Sequence, residues 1–225
     1  MHARILIVAA LISAMAAMIA MWIGHSGDHS LSWKINQIST YAATAPHGRW
    51  VTASMLLSCL TLLILGVLAV RFKLLGDSYF THLVPILVGA TTSGLLMLAA
   101  YEETARNMSL LKKASFMAIR QQSFHDAGLM IFFYSAILLI ITLGILLMFQ
   151  ASQLRERISG IGVSLFGIFT YPLMTTAWPA SLGVQGTGPG LQQRASLFCL
   201  WVAVVLVLGL FAMRNDRETR NLSKS

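Results

Sequence analysis

Apolar residues along this chain neither alternate nor fall into narrow stripes; they run on in six long stretches separated by shorter polar breaks. The stretches lie near residues 5–23, 51–70, 83–100, 127–149, 158–178 and 195–213. A helix of about 20 residues, rising 1.5 Å per residue, crosses the roughly 30 Å hydrocarbon core of a bilayer. A membrane β-barrel needs short segments of period two, and these runs do not have that period. The pattern predicts an all-α polytopic integral membrane bundle of six transmembrane helices, a single domain over residues 1–225. The first run follows a short basic region with Arg4. It is longer than a secretory h-region and enters Trp22-Ile23-Gly24-His25 without a small-x-small cleavage site, so it is read as a retained helix.

Composition strengthens this picture. Hydrophobic residues make up 56% of the chain and charged residues 11%, against roughly 25% charged in a soluble globular protein. The mean hydropathy is +0.73. The net charge of +8 comes from basic residues spread over every loop, with no stacking aromatics beside them. That distribution excludes nucleic acid as the expected partner and favours membrane lipids, with other membrane proteins beside them. Cys59 and Cys199 both fall inside predicted helices, so neither a disulfide framework nor a paired-cysteine metal site is expected.

Six spans place both termini on one side. Arg4, Arg71, Lys73, Arg155, Arg157, Arg214, Arg217, Arg220 and Lys224 crowd the short loops and tail of that side. The positive-inside rule then predicts that both termini are cytoplasmic. Trp22, Trp33, Trp50, Tyr101, Trp178 and Trp201 map to the outer interface, the level that indole prefers.

The spans as drawn contain no Asp, Glu, Lys, Arg or His. Intramembrane charges mark ion paths and proton relays, so their absence argues against a proton-coupled transporter, a charge-lined channel or a haem held between helices. Small and hydroxyl residues recur at helical spacing instead: Ser54, Ser58 and Thr61 in the second span, Gly89, Ala90, Ser93 and Gly94 in the third, Gly160 and Ser164 in the fifth. Such faces let helix backbones approach closely. Pro85 sits in a tolerated first turn, whereas Pro172 is expected to kink the fifth span.

The candidate chemistry lies in the outer loops. The stretch HSGDH at residues 25–29 places His25, Asp28 and His29 within five positions. The orientation adds His47, Glu102, Glu103, His125 and Asp126 at the same surface. Zinc accepts imidazole nitrogen and carboxylate oxygen, often from histidines at i and i+4. His25, His29, His47 and His125 are therefore the candidate metal ligands, with Asp28 and Asp126 as possible carboxylates; the competing expectation is solvated loop residues. No cofactor is required by the sequence, and a divalent metal is the one it allows. Residues 25–50 are too few for a domain, and the series Trp33, Ile35, Ile38, Tyr41 suggests that part of the segment lies on the membrane surface or caps the bundle. Residues 109–124 pattern as a short interfacial amphipathic helix in the third loop. The glycine-rich stretch 183–190 follows no strand and matches no phosphate-binding spacing.

The segment 37–50, with Ile38-Ser39-Thr40-Tyr41-Ala42 before the second span, resembles the bacterial membrane family known as domain of unknown function 998. So does Phe124-His125-Asp126-Ala127-Gly128 opening the fourth span, followed by Phe132-Phe133. The resemblance implies six spans with short inner loops and a relation to the Frag-type and DRAM-type six-helix proteins of eukaryotes. Those relatives are associated with membrane lipid organisation and scaffolding. It thus implies a non-catalytic integral membrane protein, an accessory or scaffold subunit or a lipid-associated protein of a membrane complex. The alternative is a metal-dependent hydrolase acting on a lipid or other amphiphile at the outer face.

Overall fold

The structure is a computed structural model that describes residues 2–26, 38, 41–42, 45–72, 75, 79–100, 116–175 and 189–222. Its helices are α1 (His2–His25), α2 (Gly48–Arg71), α3 (Leu83–Ala100), α4 (Phe116–Phe149), α5 (Leu154–Thr175) and α6 (Pro189–Leu222), with a 3₁₀ turn (Tyr79–His82) leading into α3. Among the described residues there is no strand. This is the all-α membrane bundle expected from the apolar runs, and α3 has the expected bounds. Five of the helices are long and apolar enough to cross a membrane. The other, α5, carries Arg155, Glu156 and Arg157 in its first turn.

Every helix packs antiparallel on its chain neighbours, and α6 returns to α1 and also touches α4. The small residues of each seam set how close the partners come. On α1 the residues Ala3, Ala10, Ala14, Ala17 and Ala20 are buried, while Ile5, Ile12, Ile19 and Trp22 on the other face are exposed. That division fits an apolar outer surface meant for lipid, since lipid tails exert no hydrophobic drive and packing must come from shape and hydrogen bonds. The Ser13 hydroxyl donates to Leu57 O at 2.9 Å, and Ser54 to Ala17 O at 2.7 Å, tying α1 to α2.

Two glycine crossings hold α4. Against α3, a Cβ on Gly94 would fall 2.5 Å from the Phe132 nitrogen, and one on Gly128 would fall 2.7 Å from the Met97 Cβ. Against α5, a Cβ on Gly160 would lie 2.7 Å from the Met148 nitrogen, and one on Gly144 would overlap Ser164. Of the small residues expected to make seams, Gly94, Gly160 and Ser164 do so; Gly89 has nothing within 4 Å of the position a Cβ would take.

α4 begins at Phe116, so residues 116–124, expected in a separate interfacial helix, form its first turns. No glycine or proline occurs between Phe116 and Asp126 to interrupt the hydrogen-bond ladder. Residues 109–115 lie outside the described ones. His125 and Asp126, expected ahead of the fourth span, are consequently inside a continuous helix. Pro172 lies in the last turn of α5, and Tyr171 beside it is exposed, its ring 6.4 Å from that of Tyr134.

At the end of the bundle that holds the start of α1 and the end of α6, Glu156 is 2% exposed and pairs with two arginines of α6. Arg217 approaches it at 2.8 Å and Arg214 at 3.3 Å. Arg217 also donates to Ser152 Oγ at 2.8 Å, and Arg214 to Leu147 O at 3.4 Å. A carboxylate in the first turn of α5 is favoured by the helix dipole, and the two guanidinium groups meet it and the exposed carbonyl end of α4 together. The turn between α4 and α5 is thereby fastened to α6.

Candidate functional site

Between α1, α2, α3, α4 and α6 the side chains do not close up. They surround a cavity with about 830 Å³ of open space, counting the part that merges with the surroundings at its mouth. The small side chains of Ser58, Thr91 and Ala136 line it from α2, α3 and α4. Phe132 and Phe133 of α4, Leu62 of α2 and Trp201 of α6 form much of the wall. Among the described residues, none of α5 lines it. Trp201, expected at the outer interface, is half-buried and lines this cavity.

The lining is apolar except for Ser58, Thr91 and Gln193. Hydroxyl donors on it are already used: Ser58 donates to Ser54 O and Thr91 to Leu87 O, each at 2.7 Å. Thr91 Oγ1 also lies 3.0 Å from Ser135 Oγ of α4. Gln193 differs. It is 9% exposed, and its Oε1 accepts the Ile38 N–H at 3.0 Å. A backbone N–H can bond only the oxygen of a carboxamide, so this contact fixes which amide atom is which. Its Nε2 makes no hydrogen bond among the described residues, and Gln193 lines the cavity.

Ile38 and Tyr41 close the same end of the bundle, and both are buried, as expected for a segment that caps it. The Tyr41 ring lies 4.4 Å from the ring of His25 and 5.1 Å from the Arg194 guanidinium. Arg194 also donates to Gly190 O at 2.9 Å. Gly48 makes the seat for this cap: a Cβ there would collide with Ala42 O and lie 2.6 Å from Tyr41 O. The Ala45 N–H donates to Tyr41 O at 3.1 Å and the Gly48 N–H to Ala45 O at 2.9 Å, so the chain turns tightly into α2.

The histidines expected at this surface have different surroundings. His25 ends α1, and its Nδ1 donates to Met21 O at 2.6 Å; Nε2 makes no hydrogen bond among the described residues. His47 is exposed immediately before α2. His125 is 1% exposed on α4 with Asp126 half-buried beside it. Asp28, His29, Glu102 and Glu103 lie outside the described residues. Among the described residues, no three His, Cys, Asp or Glu side chains come together in a way that would hold a metal ion. Cys59 and Cys199 are free.

Gln193, Arg194 and the cavity itself were missed by residue-type reasoning. Gln193 and Arg194 stand just before the last apolar run, where polar residues look like ordinary flanks, and a cavity leaves no mark in a hydropathy pattern. Partial signals were the apolar Ile38 and Tyr41 inside a polar loop, which need something to bury them.

No curated protein and no solved structure matches this chain. A family model described as a protein of unknown function, DUF998, matches residues 11–210, a stretch that runs from within α1 into α6 and takes in the capping segment, the cavity and both glycine crossings. The chain thus belongs to the DUF998 family.

Proposed function

We propose that this protein is a non-catalytic, lipid-associated membrane protein that holds an apolar membrane component within its bundle, serving as an accessory or scaffold subunit of a membrane complex. The observation that carries the reading is the apolar cavity between α1, α2, α3, α4 and α6. Water gains few hydrogen bonds from such a lining, and an empty apolar space forfeits dispersion contacts along its walls. A hydrocarbon chain restores those contacts and is abundant in the surrounding bilayer.

In this reading α5 also crosses the membrane, giving six spans with both termini on the cytoplasmic side of a bacterial inner membrane. The support is the concentration of Arg4, Arg71, Arg155, Arg157, Arg214 and Arg217 at one end of the antiparallel bundle.

The test is lipid analysis of the protein purified from native membranes in mild detergent. The expected result is a retained lipid at about one per chain, lost from Ala136→Phe, which fills the cavity from α4. A folded wild-type protein that carries no lipid would overturn the reading, as would equal retention by the filled variant. Zinc, copper or iron at one per chain would favour the metal-dependent hydrolase instead.

A further inference from the structure

The polar inventory of the cavity narrows what it can hold. Leu62, Phe133, Leu139 and Val204 offer only dispersion contacts, and the hydroxyls of Ser58 and Thr91 already donate to their own helices. Gln193 is the exception: about nine-tenths buried, its oxygen taken by the Ile38 N–H, its Nε2 without an acceptor among the described residues, at the end closed by Ile38. An amide donor in an apolar lining favours an acceptor, so a site built this way calls for an oxygen at that end and hydrocarbon below it.

Resting on the lipid-holding reading above, we propose that the cavity binds a single acyl chain whose carbonyl oxygen accepts a hydrogen bond from Gln193 Nε2 at the Ile38 end. The chain runs from Gln193 past Trp201 toward Leu62 and Val204, away from the cap. Gln193 therefore serves two contacts at once: Oε1 holds Ile38 in place, and Nε2 selects an acyl group over a plain hydrocarbon. Fatty acids and acyl esters share this chemistry.

The probe for testing it is a diazirine-bearing palmitic acid, used with the full-length protein in nanodiscs, with palmitic acid, methyl palmitate and hexadecane as competitors. Labelling should map to residues lining the cavity and disappear in Ala136→Phe. Both carbonyl competitors should act at concentrations roughly two- to tenfold below hexadecane, the range expected for one neutral hydrogen bond. Palmitic acid ahead of its ester would support the proposal with a free acid as the source, and equal potency would support it with an ester as well.

Gln193→Met should remove the advantage of the carbonyl competitors and leave hexadecane unchanged. Equal potency of all three competitors on the wild-type protein would overturn the proposal without any variant, while leaving the lipid-holding reading intact. Wild-type labelling that Ala136→Phe does not block would overturn both.

Discussion

Two parts of α4 show opposite packing. At its crossings with α3 and α5, Gly128 and Gly144 bring the backbone against the partner helix with no room for a single methyl group. Between those crossings, Phe132, Ala136 and Ile140 border a cavity that the neighbouring helices do not fill. Both parts are apolar and equally available to evolution for tight packing. A helix that is locked at two crossings and left open between them points to the open part as the place where something else belongs.

The largest expected effect lies at a glycine crossing. Gly144→Leu would drive a side chain into Ser164 and the Gly160 backbone, for a loss of about 3 kcal/mol or more, since overpacking a close contact costs roughly 1–3 kcal/mol even where neighbours can yield. Thermal unfolding monitored by size-exclusion chromatography would show it. Survival of this variant with an unchanged midpoint would break the comparison.

At the cavity, Ala136→Phe is expected to change stability by no more than about 1 kcal/mol, because the added ring enters existing space. The same unfolding measurement checks it, and a loss as large as that of Gly144→Leu would mean that the cavity is narrower than its walls indicate. A smaller effect belongs to the α1–α2 seam. Ser54→Ala removes the bond to Ala17 O and should cost about 0.6 kcal/mol, the average for hydrogen bonds between membrane helices. Smallest of all, Gly89→Ala meets nothing within 4 Å and should be neutral or stabilising by a few tenths of a kcal/mol, through helix propensity alone. Gly94→Ala, five residues along the same helix, should be clearly destabilising in the same assay.

The apolar runs were sufficient for the helices because burial in lipid and in the bundle both demand continuous hydrophobicity. The ends were less legible: α4 begins at Phe116 and α6 continues to Leu222, where polar residues extend a helix without extending its apolar run. Gly94 and Gly160 could be placed in seams by spacing, yet Gly89 has the same spacing and faces open space, since periodicity names a face and not its partner. Glu156 shows a further limit. As one carboxylate in a basic stretch it looks solvated, and only the return of α6 brings Arg214 and Arg217 to it.

Histidine content drew attention to the capping end for a metal, but the described histidines there differ in exposure: His47 open, His25 against Tyr41, His125 enclosed on α4. What the capping end does contain is a junction of Ile38, Gln193, Tyr41 and Arg194 separated by some 155 residues of chain, a proximity that no local motif encodes.

The most direct measurement is a structure determined in lipid nanodiscs without added detergent. A continuous, elongated density in the cavity, starting beside Gln193 and passing Trp201 toward Leu62, is the predicted result. Side chains of α2, α4 and α6 closed together over that space, or a file of ordered water within it, would contradict the account.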